Sequence, residues 1–195
     1  MPGRFFLSEE FRGLGNQPRK NIAPGQEIAT LTPEGPKMMR WGMIPSGRVN
    51  ARGRPVMETI INARSETVFD KSAFSGVRRA VVPASGWYEW TGQTRRKQPW
   101  RIKRSDGALI YFAAIYDVWY VPGGLEVPQI ATITCAPSAD VRDIHHRMGV
   151  ILEEAQIAEW FEGDSAQAQA LLVPYPDGRL MVEKADDVDW NDPLS

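Results

Sequence analysis

Ala80-Val81-Val82-Pro83-Ala84-Ser85-Gly86-Trp87-Tyr88-Glu89-Trp90 is the stretch whose reading decides the fold. Its valines and aromatics suit a pleated, half-buried surface, so it reads as a β-strand. Similar runs flank it: Met38–Ile44, Val56–Ile61, Trp100–Lys103, Leu109–Tyr116 and Gln129–Thr134. Seventeen glycines and 15 prolines cut the chain into short pieces, as in a β-rich protein with many turns. Ser105-Asp106-Gly107 and Pro122-Gly123-Gly124 read as turns between strands. Helix signals are fewer. Glu153–Phe161 has two acidic residues in its first turn to complement the dipole, with Gly163 as a stop, and Ser165–Leu172 is a shorter candidate. The expected architecture is one domain over residues 1–195. Its class is α+β but mostly β, with a barrel-like or half-closed antiparallel sheet core and a few short helices. Residues 185–195, acidic and proline-containing, read as a loosely held tail.

With 195 residues and 43% apolar content, the chain can bury a core of ordinary size. It has no run of about 18 apolar residues, so no membrane partner is expected. Arg4, Glu9, Glu10 and Arg12 interrupt any apolar leader. A single cysteine, Cys135, excludes an internal disulfide and fits a reducing cytoplasm. Two adjacent histidines and one cysteine assemble no zinc ligand spacing, so no metal or other cofactor is expected. The net charge of -1 hides an asymmetry. Residues 1–110 carry 19 Lys+Arg against 9 Asp+Glu, and the remainder 4 against 15. That split is either a basic face for a polyanion or ordinary clustering on a solvated surface.

Three short blocks stand out among the strands: Asn62-Ala63-Arg64-Ser65-Glu66-Thr67, Pro83-Ala84-Ser85-Gly86-Trp87-Tyr88-Glu89-Trp90 and Ile144-His145-His146-Arg147-Met148. They gather an amide, two carboxylates, two arginines and both histidines, which strand packing does not require. Together with Met1-Pro2-Gly3-Arg4-Phe5, Asn21-Ile22-Ala23-Pro24, Trp41-Gly42-Met43-Ile44-Pro45 and Val150-Ile151-Leu152, they resemble the SOS-response-associated peptidase family, also called abasic-site-processing proteins. The resemblance covers about three quarters of the chain, in order. It implies a mostly β fold that binds single-stranded DNA and captures abasic sites covalently. In the family a cysteine exposed by loss of the initiator methionine closes a thiazolidine on the sugar aldehyde. The resemblance further implies that Asn62 orients the reacting group, that Glu89 assists proton transfer and that His145 is the acid/base on the sugar. Arg4, Arg64, Thr134 and Arg147 match positions that hold phosphates and sugar.

Residue chemistry is compatible with those roles. An α-amino group with a pKa near 8 is about one-fifth neutral at pH 7.4, so a chain terminus is a better unassisted amine nucleophile than a lysine. Histidine titrates near neutrality, and a desolvated carboxylate can move protons. Plainer readings stand beside these. Glu89 could lie on an exposed strand face, and His145 could be a turn residue bonded to backbone. His146 reads as a surface residue, and Trp41, Trp87, Trp90 and Trp100 as core or wall. Cys135 reads as a small packed hydrophobe.

The chain departs from the family pattern at Pro2, where the cysteine is expected. Without the thiol no thiazolidine forms. If Met1 is removed, Pro2 presents a secondary amine able to condense with an aldehyde to a hydrolysable iminium ion or to lead to strand cleavage. If Met1 stays, the amine is displaced by roughly 3.5 Å, and a misplacement of about 1 Å can already cost about 10²-fold. Ser46-Gly47-Arg48 replaces a tryptophan common after Pro45, leaving Arg48 as a charged substitute against DNA, and Gly149 stands where proline commonly follows Arg-Met. The expected function is binding and processing or shielding of abasic sites in single-stranded DNA, with Pro2, Asn62, Glu89 and His145 forming the reactive pocket. The alternatives are an inactive lesion-binding module and a peptidase.

Overall fold

The computed structural model describes residues 2–44, 51–53, 58–70, 74–93, 96–120 and 123–192. Five strands close a ring: β3 (Glu27–Thr32), β4 (Gly35–Trp41), β6 (Arg78–Ala84), β9 (Ile110–Tyr120) and β10 (Glu126–Cys135). Their order is β10-β4-β3-β6-β9, and β9 pairs back onto β10. The barrel is therefore closed rather than half-closed. It is mixed rather than wholly antiparallel, because β4 runs parallel to β10. Three short strands extend it: β5 (Asn62–Arg64), parallel to β10, and β11 (Met148–Gly149) and β12 (Ile151–Leu152), antiparallel to β10 and β9.

A second, antiparallel sheet has the order β13-β8-β7-β1-β2. It comprises β1 (Phe5–Leu7), β2 (Arg19–Ile22), β7 (Gly86–Thr91), β8 (Gln98–Arg104) and β13 (Leu180–Lys184). The run Ala80–Trp90, expected as one strand, is two. It leaves the barrel as β6, bends at Ser85 and enters the second sheet as β7. Gly86 sits where the elements meet: a Cβ there would lie 2.5 Å from the Ile102 carbonyl oxygen and 2.6 Å from the Phe6 ring.

Ile110 to Tyr116 of β9 is buried on both faces, which explains its continuous apolar run rather than an alternating one. Trp41, Trp87, Phe112 and Ile115 anchor the core, and Trp87 meets Phe112 edge-to-face at 5.6 Å. Burying each such side chain contributes about 1.5–3 kcal/mol. Glu153–Phe161 begins as a 3-10 turn at Glu154–Gln156 and continues as α1 (Ile157–Glu162). Trp160 on α1 donates to the Ala80 carbonyl at 2.9 Å, fixing the helix to β6. Next comes α2 (Ser165–Ala170), whose N-cap Asp164 accepts from the Gln167 N–H at 2.9 Å while the Gln167 side chain accepts from the Asp164 N–H at 2.8 Å.

Two further expectations change. Val56–Ile61 is no strand where it is described: Ile60 forms only an isolated bridge to Met43, and Val56 and Met57 lie outside the described residues. Residues 185–192 are packed rather than loose. Ala185 and Val188 are buried with Phe6 and Tyr88, and Trp190 meets Tyr88 and Trp90 edge-on at 4.8 and 5.1 Å. Acidic composition hid this because the anchors are single apolar residues at irregular spacing. No helix among the described residues is long and apolar enough to cross a membrane.

Candidate functional site

Strand β10 carries the site. Asn62 of β5 stands opposite its Thr132, and Gly149 of β11 stands opposite its Thr134. Parallel pairing with a long central strand is what holds three residues of β5 in place, since a segment so short has little stability alone. The Asn62 carboxamide is oriented at both ends. Its Oδ1 accepts from the Thr132 hydroxyl, and its Nδ2 donates to the Pro2 carbonyl at 2.9 Å.

Pro2 is buried, and its ring reaches the other flank of β10: a Cβ on Gly149 would lie 3.2 Å from Pro2 Cγ. The segment then runs into β1. Phe5 pairs with Trp87, and the Tyr88 N–H donates to the Arg4 carbonyl at 2.9 Å. Pro2 thus lies between Asn62 on one flank of β10 and Gly149 on the other.

Glu89 is only 3% exposed, which rules out the exposed-face reading. Burial pushes its carboxyl up from the usual range, opposed by the positive charge of the chain terminus. His145 moves the other way. Burial pushes its imidazole below the ordinary histidine value, and the terminal charge acts in the same direction. Its Nδ1 accepts from the Arg147 N–H at 3.0 Å, so the plainer reading of a turn histidine bonded to backbone also describes it. The ring stacks on His146 at 4.4 Å. A carboxyl that holds its proton more tightly than usual and an imidazole that gives its proton up more readily form a complementary donor and acceptor.

The predicted cations separate. Arg64 is exposed and makes no side-chain hydrogen bond or ion pair among the described residues. Arg147 is largely covered and is held by Glu66, with one guanidinium nitrogen 2.9 Å from Glu66 Oε2, and by the Thr134 carbonyl. Arg147 in turn holds the Glu66 carboxyl down at about 2. Thr134 is fully buried, and its hydroxyl donates to the Ala63 carbonyl at 3.3 Å. It therefore braces Arg147 instead of facing a ligand. Arg4 is half-buried and stands across from Tyr88, on the sheet face opposite Glu89, with its guanidinium 2.7 Å from Asn21 Oδ1. Asn21 also donates to the carbonyls of Asp189 and Asp192. Arg48 lies outside the described residues.

Trp41 and Trp87 are core residues, while Trp90 and Trp100 are half-buried wall. Cys135 is a packed hydrophobe whose thiol burial pushes up to about 12. Sequence reasoning missed Glu66, Thr132 and Asn21. All three lie within segments already singled out, but only their long-range partners reveal what they do. Among the described residues no cluster of three or more His, Cys, Asp or Glu is arranged to hold a metal ion. A groove of about 640 Å³ over the second sheet is lined by Ser8, Ser85, Lys103, Gly107 and Met181, and by none of the site residues.

Comparison with known proteins identifies the family. Over 199 aligned residues the chain is 34% identical to the abasic site processing protein YoqW of Bacillus subtilis (strain 168), covering 90% of this chain and 88% of that one. It is 35% identical to the abasic site processing protein YoaM of the same organism, over 88% and 77% of the two chains. A crystal structure of a protein from Bacteroides thetaiotaomicron superposes with a TM-score of 0.77 at 24% identity, over 90% of this chain and 83% of that one, which speaks to the fold. The family model described as SOS response associated peptidase (SRAP) matches residues 6–188, and with that span and those relatives the chain belongs to the SRAP family.

Proposed function

We propose that the cleft around Pro2 receives the sugar of an abasic site in single-stranded DNA, and that the protein processes or shields such sites in the SOS response. The observation that carries this reading is the hydrogen bond from Asn62 to the carbonyl of the buried Pro2, which holds Pro2 beside Asn62. Relatives named abasic site processing proteins support the choice of lesion. The exposed Arg64 beside the cleft supports a phosphate partner. In this reading Glu89 supplies a proton to the departing hydroxyl and His145 accepts one from the sugar. Asn62 keeps the segment in register with both.

A second reading is favoured by a specific residue. Pro2 offers no thiol for closing a thiazolidine, which makes shielding without chemistry the competing outcome. Two measurements separate the possibilities. Fluorescence anisotropy should show tighter binding to an abasic single-stranded oligonucleotide than to the intact one, and equal affinities would reject the lesion assignment. Borohydride trapping with protein of verified mass then distinguishes an iminium-forming protein, which yields an adduct, from a passive module, which yields none.

A further inference from the structure

Arg147 and Glu66 are 81 positions apart in sequence yet form a forked pair, with Nη1 donating to Oε1 and Nη2 to Oε2. The two ends are unequally placed. The arginine side chain is 14% exposed and is braced from within by the Thr134 carbonyl and hydroxyl, whereas the glutamate side chain is 54% exposed. The guanidinium is the fixed inner partner and the carboxylate the outer, replaceable one. A phosphate presents the same two-oxygen fork to arginine as a carboxylate does. The Thr134 bonds would survive such an exchange.

We propose that Glu66 is a positioning residue for this cleft: it holds Arg147 in place in the free protein and yields it to a backbone phosphate when DNA binds. This rests on the abasic-site reading above. Three further observations fit. Arg64, two residues before Glu66 and exposed, supplies the second positive charge that draws the phosphate in. The Arg147 N–H is the donor to His145 Nδ1, so holding Arg147 also holds the imidazole. Glu66 stays ionised down to about pH 2, so exchange proceeds by competition between anions and not by protonation of the carboxylate.

The test compares wild type, Glu66→Gln and Glu66→Asp on abasic and intact single-stranded oligonucleotides, by anisotropy over a range of NaCl concentrations. Glu66→Gln leaves no freed carboxylate to recapture a cation, so its log–log salt slope should steepen by about 0.7. Its affinity for both strands should rise together, several-fold at low salt, because the carboxylate that competes with phosphate for Arg147 is gone. Glu66→Asp, which keeps the charge, should restore the wild-type slope. An unchanged slope in Glu66→Gln overturns the proposal. So does a loss of affinity for both strands with a lowered urea midpoint, which would mark Glu66 as a purely structural brace. A wild type with no preference for the abasic strand would instead reject the abasic-site reading itself.

Discussion

Gly149→Ala tests whether the wall behind Pro2 is as tight as the geometry requires. Gly149 is not in the left-handed region, so alanine meets no backbone penalty there and the whole effect is contact. Its Cβ would lie 2.5 Å from two ring carbons of Phe112 and 3.2 Å from Pro2 Cγ. Carbon atoms pack at about 3.5–4.0 Å, so something must shift by about 1 Å. Phe112 is fully buried, fixed by Trp87 on its edge and by pairing with Val82 and Ile151 on either side, so it cannot retreat. The strain falls on β11 and on Pro2. Overpacking of this kind costs about 1–3 kcal/mol. With a denaturant slope of about 2 kcal/mol per molar urea, the midpoint should fall by about 0.5–1.5 M. Phe112→Leu removes the ring atoms that clash, so the double variant should be less destabilised than the sum of the two single changes. An unchanged midpoint in Gly149→Ala, or strict additivity in the double variant, would refute the packing argument.

Glu89→Gln should differ from wild type in stability increasingly as pH rises. A carboxyl whose folded pKa is raised stabilises the fold below its unfolded value and loses that contribution as pH rises through the folded value. The two proteins should therefore agree near pH ~4 and diverge above it, with the glutamine variant more stable at pH 8 by urea titration. A gap that widens toward acid would contradict the burial of the carboxyl. Trp190→Ala removes two edge contacts worth about 0.5–1.5 kcal/mol each and should expose residues 185–192 to proteolysis. Unchanged cleavage there would show that the contacts do not hold the segment. Arg64→Ala should lower the salt slope of single-strand binding by about 0.7 with no change in urea midpoint, because the side chain is exposed. A fall in midpoint would reassign it to structure.

The β class and most long strands were legible because β6, β9 and β10 carry apolar runs long enough for a period or a continuous core stretch to show. What was not legible follows from length and distance. β1, β5, β11 and β12 have two or three residues each, too few for alternation to register, and they exist only through pairing with longer neighbours. The division of Ala80–Trp90 depends on Phe6 and Ile102 crowding Gly86, and nothing local announces those neighbours. The parallel pairing of β5 with β10, which sets Asn62 on Thr132, is likewise a tertiary event. At the site, Asn62, Glu89 and His145 were recognisable as residues that packing did not need. Thr134 and Arg4 were read as ligand contacts, but one is sealed beneath Arg147 and the other is bonded to Asn21 on the far face.

Peptide-resolved hydrogen–deuterium exchange, with abasic and intact single-stranded oligonucleotides compared at equal occupancy, addresses the cleft most directly. Extra protection with the abasic strand is expected in residues 2–7, 62–67, 86–91 and 144–149. Protection confined to the groove lined by Ser8, Lys103, Gly107 and Met181, with those four segments unchanged, would contradict that expectation.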